Sequence, residues 1–507
     1  MEDQSKELSK GEDELIDTSP KLQFRSLIAA EVNNDHDQIL GKRLRTPENA
    51  SEKEQEEELV TSSSNNSSVE ENVSENIWHE WQKFLDDPLR RNLYEPLSPE
   101  KNNVIWCGKS VARRSSLPED LYARLQVEVE SVPAVAINHD LHEIVDRVLD
   151  ADDLDQYEDV IEELRIQKNQ LKENKLQIDF LTGILERLKD IYEDDEDKIE
   201  HSEPCLNYDL ALPCLKVSVQ MIRKNGYKVT TFPGEEELEE MKKQQQIQGL
   251  TDNRHKYKAD GIVRYDSSNE ILVMETSAAY NNTPSEKCSF DHYKAKFGLL
   301  AMIKTLSDKY QYASFEVLKK LKLHFIHVHG TAVRWWTMSI PKKDIYVMCK
   351  ERRAEIPKTF AKKKDVDLFS FLLLYLNLAA ALQETIKTIK MLEASHKDAL
   401  RMMRHKPMLS VALLQSVIDS VIIRLTEIVE ELSIKPFKAI KKQFLQQGLD
   451  NQNNIKIQNC FLAPMHKMAP WMASWRQIQA LSPPSKSDAD KNVYNSMPQH
   501  AQLATNA

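Results

Sequence analysis

Glycine is scarce in this chain, with 11 in 507 residues. Gly-rich phosphate loops and tightly turned all-β barrels need glycine for positive φ and close backbone approach, so both are excluded and a helix-rich protein is expected. Aromatics are also sparse, at 7%. The six cysteines (Cys107, Cys205, Cys214, Cys288, Cys349, Cys460) are scattered and form no CxxC pair. That spacing excludes a zinc ribbon or disulfide scaffold and points to a reducing, intracellular compartment. The N-terminal string MEDQSKELSKGEDELID has no apolar core, so no signal peptide is expected. The longest apolar run, Leu368–Leu382, is about 15 residues and is broken by Ser370 and Asn377. That is short of the roughly 20 residues of a membrane span, so no membrane partner is expected.

What is abundant is charge, unevenly placed. The net charge of −12 divides into about −28 over residues 1–240, +13 over 241–450 and +3 over 451–507. A basic half of this kind suits an anionic partner, nucleic acid above all. The rival reading is that the two halves attract each other or that Lys-rich helix faces are simply solvated. Residues 1–75 are acidic and low in complexity (SEKEQEEELVTSSSNNSSVEEN) and are expected to be disordered. Within them, Lys42, Arg43 and Arg45 form a short basic string of the nuclear-import type. Location is therefore read as nuclear or, failing that signal, cytoplasmic.

Residues 76–200 read as a helical arm. Its aromatic start (IWHEWQKFLDDPLRRNLY) docks as a small helix. Leu164, Leu171, Ile178 and Leu185 then recur every seven positions, with Leu181 and Leu188 filling the second seam and Gln167 and Asn174 interrupting it. That broken seam suits packing on neighbouring helices. Binding of a protein partner or self-association through residues 118–200 is the alternative. Residues 201–365 read as an α/β core and 366–450 as a helical part packed on it. In that part Pro407 separates the apolar run from a helix over Met408–Leu432, and 451–507 form a disordered tail.

The chemistry is concentrated between Lys256 and Leu306. The string KYKADGIVRYDSSNEILVMETSAAY predicts a β-hairpin, Ala259–Tyr265 and Glu270–Ser277, turning over Asp266-Ser-Ser-Asn269. A turn centred between Ser267 and Ser268 sets Asp260 opposite Glu275, Ile262 opposite Val273 and Arg264 opposite Ile271. Directly opposed residues have Cβ atoms roughly 4.5–5.5 Å apart. Two carboxylates that close repel unless a cation lies between them, and an oxygen-only pair suits Mg²⁺ or another divalent metal. The bland alternative has Asp260 starting its strand in solvent and Glu275 paired with Lys258.

Around the hairpin, Ser202-Glu203-Pro204 opens a helix running to about Lys224 with a break at Pro213. Gly226–Phe232 reads as a strand, followed by the polar insert GEEELEEMKKQQQIQ. Ser289 is expected to cap a helix over Phe290–Tyr310. Strands follow at Leu321–His329, Arg334–Ile340 and Ile345–Lys350. His327 and His329 share a strand face without an evident third ligand, and with His324 they read as strand-surface residues. Trp335 and Trp336 must point to opposite faces, one into the core and one outward. No serine or cysteine nucleophile has a recognisable setting.

That order of helix, strand, hairpin, helix and strand carries Lys258-Ala-Asp-Gly261, Glu275-Thr-Ser277 and Asp291-x-x-Lys294 at fixed places. His329-Gly330 and Glu355-Ile-Pro357 follow. Over roughly residues 200–400 the chain resembles the PD-(D/E)XK nuclease-like superfamily, and within it a group of fungal proteins. The resemblance implies a central mixed sheet flanked by N- and C-terminal helices, and metal-dependent phosphodiester hydrolysis. By position Asp260 and Glu275 would hold Mg²⁺, with Glu203 adding a carboxylate for a second metal. The chain departs from the pattern where a lysine is expected two residues after the second acid, because Ser277 stands there. Either Lys294 or Lys296 from the next helix supplies the ammonium, or catalysis is lost and the core remains as a binding or scaffold module.

Overall fold

The structure, a computed structural model, describes residues 77–405 except 95–96, 169–173, 194–197, 250–255, 362 and 364–367, together with 413–414. The expected low-complexity segment 1–75, Leu171, the helix over Met408–Leu432 and the tail 451–507 lie outside the described residues. Two helices, α1 (77–85) and α2 (Pro88–Leu93), precede strand β1 (Val104–Gly108). Helices α3 (Glu119–Glu128), α4 (His139–Asp150), α5 (Leu154–Gln167), α6 (Lys175–Glu193) and α7 (Leu212–Lys224) follow. Then come β2 (Val229–Glu237), α8 (Glu239–Ile247), the hairpin β3 (Lys258–Tyr265) and β4 (Asn269–Thr276), and α9 (Ser285–Lys309). The described fold ends with β5 (Leu323–His329), β6 (Ala332–Lys342), β7 (Ile345–Glu355) and α10 (Leu368–His405).

The fold is mixed α/β, with one seven-stranded sheet flanked by helices. Its order is β1-β7-β6-β5-β4-β3-β2. The β1–β7 and β4–β5 pairs are parallel and the others antiparallel. On one face α9 lies across β4 and β5 with α8 beside it. On the other, α7 packs on β2 and α10, and α6 backs α7. Leu164, Ile178, Leu181, Leu185 and Leu188 are all buried, so the partial heptad is the packing seam of these helices.

Several sequence readings are corrected. The segment read as a helical arm contributes β1, a five-residue edge strand whose Ile105 and Cys107 join Trp81, Leu85, Leu121 and Leu125 in one core cluster with Ile345, Val347 and Cys349 of β7. The first core strand runs on through Glu237, into the polar insert. A bulge at Gly234 and Glu235, both at φ 54°, lets it follow β3 past Pro233. Helix α9 begins at Ser285, one turn before the expected Ser289 cap, straight after Pro284. The hairpin keeps the expected register from Gly261–Met274 to Val263–Leu272. A bulge after Val263 then sets Arg264 opposite Glu270 instead of Ile271. The cause is electrostatic: Arg264 Nε and Nη2 donate to Glu270 Oε1 at 3.1 and 3.0 Å in a buried pair.

His324, His327 and His329 are not surface residues, and Trp335 and Trp336 are both buried. The two helical layers cover both sheet faces, so alternation within a strand no longer sorts buried from exposed. Trp335 Nε1 donates to His324 on one face, and Trp336 stacks edge-on to His292 on the other. The apolar run after residue 366 lies in α10, which ends at His405, just before the expected break at Pro407. As part of the 38-residue α10 it meets the length and composition of a membrane span, yet 67% of its most apolar window is buried inside the fold.

Candidate active site

The site forms where the hairpin passes under the first half of α9. Asp260 and Glu275 fall on the same sheet face by the register that pairs Gly261 with Met274. Asp260 Oδ2 accepts the Thr276 N–H at 2.7 Å, which ties the first acid to the residue after the second. Glu275 is buried, 1% exposed, and its Oε2 lies 2.8 Å from the Lys294 ammonium. Asp291, one helical turn earlier on α9, has Oδ1 4.0 Å from the same ammonium. Lys287, one turn earlier again, is ion-paired with Glu203, and its Nζ lies 3.3 Å from the Thr276 carbonyl and 3.7 Å from Asp291 Oδ2. Four carboxyl groups and two ammonium groups thus form one connected cluster.

The helices supply these groups for identifiable reasons. Lys287, Asp291 and Lys294 stand at i, i+4 and i+7, the spacing of a single helix stripe. Lys296 is two residues beyond Lys294, on another side of the helix. Glu203 starts a helical turn capped by Ser202, whose hydroxyl accepts the Cys205 N–H. A π-helical segment, Leu206–Ala211, then leads into α7. Pro213 lacks the N–H for a bond to Asp209 and its ring would crowd that carbonyl, which the wider π turn relieves. The same segment aims Asn207 at the hairpin, where its Nδ2 donates to the Asp260 carbonyl at 3.4 Å.

Burial sets the electrostatics. It raises Asp260 to about 6, even though the Lys294 charge and the Thr276 N–H bond oppose it and Glu203 and Asp291 add to it. Burial also pushes Glu275 well above the usual carboxylate range, with Lys294 countering only in part. For Lys294 burial works against the charge, but Glu275, Asp291 and Asp260 outweigh it and hold the ammonium above the usual lysine range. Lys287 behaves likewise, its burial outweighed by Asp291 and Glu203.

Of the two lysines the sequence offered, Lys294 reaches the acids and Lys296 does not. Lys296 is fully buried elsewhere, donating to the Leu97 carbonyl at 2.7 Å with its Nζ over the Phe297 ring. Ser277, at the place of the expected lysine, turns to the histidine strand, its Oγ 2.8 Å from His327 Nε2. Glu275 does not pair with Lys258, which bridges to Glu235 at 3.2 Å. Lys287 and Asn207 are site residues that sequence reasoning missed. The Lys-x-x-x-Asp-x-x-Lys spacing of α9 was the signal for Lys287.

Whether these residues suit a metal is decided by their donors. Among the described residues, no three His, Cys, Asp or Glu side chains form a ready-made metal cage. The site instead offers the Asp260 and Glu275 carboxyls and the Thr276 carbonyl. Glu275 Oε1 and Asp291 Oδ2 are buried without a hydrogen-bond partner. Oxygen donors with one or two carboxylates are of the kind that a hard divalent ion such as Mg²⁺ takes. No family model, curated protein or solved structure matches the chain.

Proposed function

We propose that this chain is a nuclease, hydrolysing nucleic-acid phosphodiesters at the Asp260–Glu275–Lys294 site with the help of Mg²⁺ or a similar ion. The observation that carries this reading is the convergence of both hairpin carboxylates with an ammonium contributed by the next helix, Lys294 Nζ lying 2.8 Å from Glu275 Oε2. Lys294 takes the role that Ser277 cannot fill. An ion held by Asp260 and Glu275 lowers the pKa of a bound water and offsets charge on the phosphate. Asp260, with its pKa near 6, is ionised at neutral pH and ready to hold a cation. Lys294 supplies fixed positive charge where negative charge builds up during attack on phosphorus. The positive balance of residues 241–450 favours a polyanionic substrate.

The test is cleavage of single- and double-stranded DNA and RNA by the full chain with Mg²⁺ or Mn²⁺. Metal-dependent cleavage abolished by Asp260→Asn and by Lys294→Met is the expected result. Absence of cleavage on every substrate, by a folded protein at saturating metal, overturns the reading.

A further inference from the structure

The Lys287 ammonium is surrounded by oxygens. It has Glu203 against it, the Thr276 carbonyl at 3.3 Å and Asp291 Oδ2 at 3.7 Å, and it lies in the field of Asp260. These are oxygens from three separate elements: the turn before α7, the end of β4 and the first half of α9. Helix stability does not explain the lysine, because a cation in the first turn of a helix opposes the macrodipole. Two buried carboxylate oxygens in the same cluster, Glu275 Oε1 and Asp291 Oδ2, have no hydrogen-bond donor. The ammonium therefore satisfies this oxygen set only in part. Lys287 is also the most exposed of the charged groups here, its side chain 41% accessible against 17% for Lys294, so a path to solvent is open to it.

We infer that Lys287 is an internal competitor for the divalent cation: held by Glu203 and Asp291, its ammonium occupies the Thr276 carbonyl that the Asp260–Glu275 site offers to metal, and metal gains that oxygen only as Lys287 swings out to solvent. This rests on the metal-dependent reading of the site and adds to it a resident cation that sets how much metal the site takes up. An ammonium brings one charge and three donors to oxygens that a divalent ion draws in with two charges. Removing Lys287 leaves Glu203 and Asp291 without their cation, so an incoming ion meets a more negative and vacant seat. Lys294 has its own partner in Glu275 at 2.8 Å and shares Asp291 with Lys287.

The experiment is a Mn²⁺ titration of the full-length protein by calorimetry, with Mg²⁺-dependent melting as a second readout. Wild type, Lys287→Ala, Lys287→Ala with Asp291→Asn, and the surface control Lys319→Ala are compared. Lys287→Ala should bind Mn²⁺ about tenfold or more tightly than wild type and show the larger rise in Tm with Mg²⁺. Adding Asp291→Asn should reverse most of that gain, and Lys319→Ala should match wild type. If wild type binds Mn²⁺ and Lys287→Ala binds it equally or less well, the competitor role is overturned while the metal-dependent reading stands. If neither binds Mn²⁺ although both melt cooperatively, the cation seat is refuted and the metal-dependent reading falls with it.

Discussion

Replacing Lys294 by Met removes one member of a buried ion pair and keeps the volume of its stem. Glu275, 1% exposed, is left with no ammonium at Oε2 and no hydrogen bond at Oε1. Breaking a buried pair from one side costs about 3–5 kcal/mol where the remaining carboxylate is ionised, because that charge is then stranded out of water. For a body of roughly 300 described residues, at about 2.1 cal/mol/K of unfolding entropy per residue, that is a fall in Tm of about 5–8 °C. The direction of the Glu275 shift gives the pH dependence. Its folded pKa is raised, so the folded state holds a proton on Glu275 that the unfolded chain has released, and stability falls as pH rises through that window. Without Lys294 the shift grows, so the penalty should be larger at pH 8 than at pH 5. Lys294→Met with Glu275→Gln should recover most of the loss, because no charge is left stranded. Scanning calorimetry of the wild type and the two variants at both pH values tests this. A single variant melting within about 1 °C of wild type at pH 8 would refute the ion pair as a stabilising contact.

Other consequences can be measured separately. Lys296 is held well below the usual lysine range by burial, with Arg114 adding to it, so wild-type stability relative to Lys296→Met should rise as pH climbs towards the ordinary lysine pKa; equal pH slopes in urea titrations would contradict it. Glu240 is raised to about 9 by burial and by its contact with Glu270, and should lose stability as pH rises from 5 to 9. Glu240→Gln, which imitates the protonated form, should flatten that decline in a Tm-versus-pH series. Ser277→Lys, which restores the superfamily's lysine, should destabilise by at least about 1–3 kcal/mol, because the position is 1% exposed against His327; a chemical melt showing no loss would mean the pocket has room. Deleting residues 1–75, which carry about −11, should tighten binding of the basic half to nucleic acid most strongly at low salt. Fluorescence anisotropy across a salt series reads it, and unchanged affinity would exclude the segment as an electrostatic competitor.

A feature of this fold is legible in the sequence to the extent that its determinants are local. The hairpin register around Ile262 and Val273 was legible because turn residues and alternation lie within a short stretch. The bulge after Val263 was not, because it answers to a buried partnership between Arg264 and Glu270 that alternation does not encode. Lys294 and Lys296 could not be separated by composition, only by helical phase, and that phase is fixed by how α9 lies on β4 and β5. Placing the helix start at Ser289 rather than after Pro284 left Lys287 outside the helix and hid the stripe it shares with Asp291. The histidines and tryptophans of β5 and β6 were misplaced for a different reason. Their burial comes from layers contributed by distant parts of the chain. β1, five residues between charged turns, had too few positions to show a period.

The placement of that strand has a consequence for biosynthesis. β1 pairs in parallel with β7, Val104 beside Tyr346, so its partner emerges roughly 240 residues later, some 12–50 s at about 5–20 residues per second. During that interval the apolar residues of the segment before it, Trp81 and Leu85 among them, have no β7 residues to complete their core. Closing so long a loop is entropically slow, and the unpaired edge of β7 is a template for wrong pairing until β1 arrives. Sheet completion should therefore be the late, chaperone-sensitive step of folding. Ribosome-bound chains stalled before residue 345 should leave the 77–125 segment open to protease, and chains extended past residue 405 and clear of the exit tunnel should protect it.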